Sequence, residues 1–212
     1  MNNIFLKGVI TNIRESHTIN NVVYDKADLI VKRPDGKEDL LVLEFKKFSN
    51  NYKEGQEIIL KGNIRSYSRP LENGKNKVDI FVFSYLDPIP EADMLPENIN
   101  TGDIDGRICK ISDLIILPDG KEKAQFILAN NIIINNNGKT KKLNSYIPCI
   151  AFGSLAKSII SYGINTRLQL QGELHSRQFK KYLTQGDENN PPEIEIRLAH
   201  EFIVKDLKVL DQ

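Results

Sequence analysis

The sequence predicts an all-β protein made of two small five-stranded barrels in tandem, with a short helix at least in the second. Three observations predict it. Strand-like segments of alternating hydrophobicity recur along the whole chain, prolines interrupt them near the middle, and two glycine-containing motifs occur once in each half in the same order.

The first half supplies NIFLKGVITNI, ADLIVKRP, EDLLVLEF, QEIILKGNIRSY and NKVDIFVFSYL, short segments rich in Ile, Val, Leu and Phe. The second supplies IDGRICKI, KAQFILANNIII, SYIPCIAFG, TRLQLQGELHSRQF and EFIVKDLKVL. Between them, Pro88, Pro90 and Pro96 fall where the alternation stops. The expected division is a first domain over 1–88, a linker over 89–101 and a second domain over 102–212.

The repeat is more specific than strand number. Lys7-Gly8-Val9-Ile10 matches Asp105-Gly106-Arg107-Ile108, and Leu60-Lys61-Gly62-Asn63-Ile64-Arg65-Ser66 matches Leu170-Gln171-Gly172-Glu173-Leu174-His175-Ser176. A glycine inside a strand marks a sharp bend or a close backbone approach, as at the corner of an OB barrel. Such barrels carry a helix between their third and fourth strands. In the second half SLAKSIISYG fits one, with Leu155, Ile159 and Tyr162 on one face, Ser154 as N-cap and Gly163 as stop. The first half offers only KKFSNNYKEG, too polar for more than one turn.

Composition narrows the function. A hydrophobic fraction of 40% and a charged fraction of 27% over 212 residues are those of a folded globular protein. No apolar stretch reaches the roughly 20 residues that span a bilayer, and the N-terminus lacks a signal-peptide pattern, so a cytoplasmic protein is expected. Cys109 and Cys149 form no CxxC, and His17, His175 and His200 lack metal-cluster spacing. Gly138-Lys139-Thr140 resembles the end of a phosphate-binding loop, but Ile133 stands where the earlier glycine belongs. An enzyme is not expected, nor a cofactor or metal.

Motifs in order through 101–210 resemble the bacterial single-stranded DNA-binding proteins. They are the Gly-Arg pair and Pro-x-Gly turn of IDGRICKISDLIILPDGKEKAQFILA, the aromatic and Phe-Gly-helix of SYIPCIAFGSLAKSI, the GELHSRQF segment and the closing HEFIVKDLKVLD. The whole chain is similar to a tandem, two-barrel version known in bacteria. The resemblance implies single-stranded DNA as partner, with roles in replication, recombination or repair, and a homodimer bringing four barrels together. It places Tyr146, Phe152 and Phe179 at aromatic DNA-contacting positions, with a further such position at Ile134, where no ring can stack. Related proteins carry a flexible acidic tail, whereas this chain ends KDLKVLDQ directly after the last strand, so partner recruitment through the C-terminus is not expected.

Strand parity sharpens the site. In TRLQLQGELHSRQF, Leu168, Leu170, Gly172 and Leu174 face the core, leaving His175, Arg177 and Phe179 outside. An outward Phe beside an Arg is what a base-stacking platform requires. In SYIPCIAF, Ile147, Cys149 and Ala151 point inward, and Tyr146, Pro148, Ile150 and Phe152 outward, an apolar row that needs a cover. In the first half Asn63, Arg65, Tyr67 and Arg69 face outward, giving an aromatic between two cations that can pair with phosphate. Basic residues are added by Arg107, by Lys139, Lys141 and Lys142 in a loop between the second and third strands, by Lys180 and Lys181 at the start of a long final loop, and by Lys75 and Lys77. The net charge of +1 suits local basic tracks rather than a cationic surface. It also leaves open an OB-fold interaction or assembly module with weak nucleic-acid binding.

Overall fold

Apolar residues at every second position give each strand one face to bury, and closing the strands into barrels removes those faces from water. The computed structural model describes residues 1–47, 53–70, 76–84, 89–90, 96, 98–136, 139–183 and 192–211, with the backbone alone at 76, 89–90, 134–136 and 139–141. The first barrel consists of β1 (Asn2–Ile19), β2 (Val22–Lys32), β3 (Glu38–Lys46), β4 (Glu57–Pro70) and β5 (Asn76–Ser84). A two-residue strand, β6 (Ile89–Pro90), pairs with Ile58 and Ile59 of β4. The second barrel consists of β7 (Asn100–Ile111), β9 (Glu122–Asn136), β10 (Lys139–Phe152), β11 (Arg167–Tyr182) and β12 (Ile194–Asp211), with the short β8 (Ile115–Ile116) at its edge. Among the described residues the one helix is α1 (Ser154–Tyr162), and no helix is long and apolar enough to cross a membrane.

The two barrels have the same strand order. In the first, β1 pairs with both β2 and β4, and β5 lies antiparallel to β4 and parallel to β3. In the second, β7 pairs with β9 and β11, and β12 lies antiparallel to β11 and parallel to β10. This is the OB arrangement, with the helix of the second barrel between its third and fourth main strands. The strand parity of the sequence holds on β4, where Ile58, Leu60 and Ile64 are buried, and on β11, where Leu168, Leu170 and Leu174 are; β1 adds Ile4, Leu6 and Ile10 to the core.

The repeated glycines mark the places where backbones touch. A Cβ on Gly8 would stand 2.4 Å from the carbonyl oxygen of Ile30 in β2, and one on Gly106 would stand 2.5 Å from that of Ala129 in the equivalent β9. Likewise a Cβ on Gly62 would stand 2.6 Å from the Phe83 oxygen in β5, and one on Gly172 would stand 2.1 Å from the Ile203 oxygen in β12. Both pairs of the sequence repeat thus occupy matching corners. In the second barrel the buried ring of Phe202 fills the space over Gly102 and Gly172.

The helix corrects one expectation. Gly153, at φ 58°, stands at the N-cap position, and Ser154 is the first helical residue with no side-chain cap bond. The left-handed backbone there favours glycine, so the turn out of β10 fixes the helix start. Ala156 and Ile159 are buried, Leu155, Ile160 and Tyr162 pack against the core, and Gly163 ends the helix at φ 75°. The stretch considered for a helix in the first half lies partly outside the described residues, and residues 53–55 form no helix.

The barrels are joined edge to edge. Asn2–Leu6 of β1 pair antiparallel with Asn100–Ile104 of β7, so both barrels belong to one twelve-stranded sheet. The Asn2 side chain accepts from the Ile64 N–H (2.8 Å) and donates to the carbonyl of Ile64 (2.7 Å) and to Asn130 Oδ1 (2.8 Å). A second contact is polar and buried. Asp39, 0% exposed, accepts a bidentate pair from Arg33 and a bond from the Ser176 N–H, while the Ser176 Oγ accepts from the Leu40 N–H (2.9 Å). His200 donates its Nε2–H to the Leu40 carbonyl (2.9 Å), and burial holds its pKa below the usual value.

Candidate nucleic-acid interface

The expected platform on β11 sits on a strand whose inner face is locked in the core. Leu170 and Leu174 anchor the inward side, which leaves Arg177 exposed and Phe179 half-buried on the outer side. The Arg177 guanidinium lies 5.6 Å from the Phe179 ring centroid and pairs with Glu201 at 3.2 Å. His175 bonds Glu173 through Nε2 at 2.8 Å, and Lys205 reaches the same carboxylate at 3.3 Å. Opposite Phe179 in the ladder stands Arg197, itself held by Glu195 at 2.6 Å.

In the first barrel the outward residues separate into two kinds. The Arg65 guanidinium lies 3.8 Å from the centroid of Phe83, and burial pulls its pKa down to about 10. It covers the barrel wall. Tyr67, further along β4, is 62% exposed, and Arg69 beyond it pairs with Asp79 at 3.3 Å. Lys77, across the ladder from Arg69, pairs with the same carboxylate at 3.2 Å.

Docking of the barrels brings these two faces together. A groove of about 890 Å³ runs between them, lined by Tyr67 and the start of β5 on one side and by Phe179 and Glu195–His200 on the other, with Pro148 at its wall. Arg14, Lys26, Lys77 and Arg197 line it as cations, and Glu44, Asp79 and Glu195 as carboxylates. Tyr146 lies where β10 approaches the first barrel: its N–H donates to the Ser66 Oγ at 2.8 Å, and its side chain is 46% exposed.

Other expected site residues lie elsewhere. Arg107 pairs with Asp211 at 2.8 Å and donates to the Asn165 carbonyl at 2.7 Å. It stands beside Arg167, twelve residues from Phe179 along β11, which is about 40 Å of extended strand. Phe152 pairs with Lys123 at the far end of β10 and lies 5.0 Å from the Lys121 ammonium. Ile150, outward by parity, is 4% exposed, so the chain itself covers it.

The basic loops are shorter than expected. Lys139, Lys141 and Lys142 belong to β10, and Lys180 and Lys181 to β11, because pairing with β9 and β12 continues the ladders and satisfies the backbone groups that a loop would leave to water. Lys142 and Lys180 are exposed and Lys181 half-buried. The side chains of Lys139, Lys141 and Ile134, and the whole of Lys75, lie outside the described residues. Arg14, Lys26, Asp79, Glu195 and Arg197 are groove residues that sequence reasoning passed over. The alternation in EIEIRLAH, opposite the Phe179 strand, was the available signal for the last two. Among the described residues no group of three His, Cys, Asp or Glu side chains could hold a metal ion.

No protein-family model matches the chain, and no curated protein sequence does. Solved structures do. The chain is similar to the wild-type single-stranded DNA binding protein from Thermus aquaticus, with 17% identity and a TM-score of 0.68 over 100% of this chain and 94% of that one. It is similar also to a deletion mutant of that protein, with 16% identity and a TM-score of 0.69 over 100% and 95%. The chain therefore has the fold of these proteins along its whole length, two OB barrels in tandem.

Proposed function

We propose that this chain binds single-stranded DNA with little sequence preference, holding it in the groove between the barrels. The observation that carries the proposal is the convergence of Tyr67 from the first barrel and Phe179 from the second on one groove. Each ring lies on a strand anchored in a core through its earlier residues, 58–64 in β4 and 168–174 in β11, and each stands beside cations that can meet phosphate. Tyr146 extends the stacking surface, and Arg69, Arg177, Lys180 and Lys181 form the basic track. The Thermus proteins of the same fold bind single-stranded DNA, as their names state, which supports the same ligand here.

The role is that of a binding protein in the cytoplasm, covering single strands during replication, recombination or repair, without catalysis. Two copies form a homodimer of four barrels, which light scattering reads directly, a strict monomer at micromolar concentration contradicting it. One observation favours a second reading, an assembly module with weak nucleic-acid binding: the groove cations are paired with carboxylates of the chain itself.

Fluorescence anisotropy with labelled oligo(dT) separates the two. Binding is expected, with log K falling against log salt at a slope of about −0.7Z and Z roughly 3 to 6. No binding at micromolar concentration, or a flat salt response, contradicts the proposal.

A further inference from the structure

Each cation that lines the groove already has an anion. Arg14 stands 3.1 Å from Asp28, Lys26 3.4 Å from Glu44, Lys77 3.2 Å from Asp79 and Arg197 2.6 Å from Glu195. Asp79 serves two cations, since Arg69 approaches it at 3.3 Å. The ladder explains why. Tyr67 pairs with Asp79 and Arg69 with Lys77, so two cations stand opposite each other with one carboxylate beside them and the Tyr67 ring across from it. Like charges directly opposite are unfavourable, and Asp79 relieves that repulsion in the empty groove.

We propose that Asp79 sets the affinity of the groove for single strands: a phosphate reaches Arg69 and Lys77 only by displacing this carboxylate, so binding exchanges one anion for another. The inference rests on the reading of the groove as a single-strand site. Arg69, Lys77 and Asp79 have side chains 51%, 36% and 41% exposed, so both pairs sit in water and exchange readily. The strand pair does not itself require an acid there. Carrying Gly62↔Ser84 onto Gly172↔Val204 carries Tyr67↔Asp79 onto Arg177↔Ala199, and the second barrel builds the matching position with alanine.

Anisotropy titrations with labelled oligo(dT), run against salt on the wild type, Asp79→Asn and Asp79→Ala, test this. Asn keeps the shape and loses the charge, and Ala is the side chain at the matching position. Both variants are expected to bind about two- to fivefold tighter at low salt, the reverse of a modest exposed ion pair. Their salt slopes steepen by about 0.7 for each cation released. Weaker binding by the variants overturns the inference, because the carboxylate would then position the cations for phosphate. Unchanged affinity and slope overturn it as well, because Arg69 and Lys77 would not meet the strand. A wild type that binds no oligo(dT) overturns the single-strand reading of the groove and this inference with it.

Discussion

A methyl group on Gly172 probes how tightly the second barrel is drawn at its corner. The new carbon would stand 2.1 Å from the Ile203 carbonyl oxygen and 2.9 Å from the Phe202 ring, where ordinary contact begins at 3.4 Å. Backbone on one side and a fully buried ring on the other leave no flexible end to move, so β12 must shift by 1.3 Å (3.4 less 2.1) to restore contact with the oxygen. Overpacking of this kind costs about 1–3 kcal/mol. Stiffening of the unfolded chain by alanine returns about 0.4–1 kcal/mol, leaving a net loss of about 1–2 kcal/mol. At about 2–4 °C per kcal/mol for a chain of this size, Gly172→Ala should melt roughly 2–8 °C lower. Thermal melts followed by circular dichroism measure it. Gly62→Ala, facing the Phe83 oxygen at 2.6 Å, should fall in the same direction. Gln171→Ala, at an exposed position one residue away, should stay within about 0.5 kcal/mol of the wild type. If Gly172→Ala melts with Gln171→Ala, the repeated glycines do not mark close backbone crossings.

Two further outcomes follow from side chains at the barrel junction. Because burial holds the His200 pKa below 6.5, the unfolded chain takes up a proton before the folded one, so stability is full above pH 6.5 and lost as pH falls through the folded value. His200→Gln has no titrating ring, so the wild type should lose up to about 1.4 kcal/mol per pH unit more than the variant below pH 6.5, read by urea unfolding; parallel losses contradict this. Tyr146→Ala should weaken oligo(dT) binding and leave the melting temperature near that of the wild type, because its N–H bond to Ser66 does not involve the ring. A melting temperature that drops while affinity holds would place the ring in the barrel junction instead.

Local features of the fold were legible because local chemistry fixes them. Alternation placed Leu168, Leu170 and Leu174 inside, and the repeat placed Gly8, Gly62, Gly106 and Gly172 where a side chain has no room. The hairpin arms extend beyond the alternating segments of the sequence. Residues 14–26 of β1 and β2 pair around an Asn20-Asn21 turn with φ 49° and 63°, a left-handed pair that asparagine tolerates, in a segment with little alternation to betray it. Parity alone makes Arg65 a phosphate cation, because parity does not reveal that Phe83 lies beneath its guanidinium. The groove was not legible, because it exists only once β1 pairs with β7 and Asp39 meets Ser176, contacts between residues 94 or more positions apart. Asp79 and Glu195, which hold the groove cations, read in sequence as ordinary surface charge.

The most direct measurement of the central claim is the affinity of Phe179→Ala for labelled oligo(dT), with Leu170→Ala as control. A stacked base is worth about 1 to 3 kcal/mol, so Phe179→Ala should bind roughly 5- to 150-fold more weakly while melting near the wild-type temperature. Leu170, wholly buried, should behave in the opposite way, losing about 2–5 kcal/mol of stability with the affinity of the folded fraction kept. Intact DNA affinity in Phe179→Ala, together with a lowered melting temperature, would contradict the account and place the ring in the packing of the barrels rather than under a base.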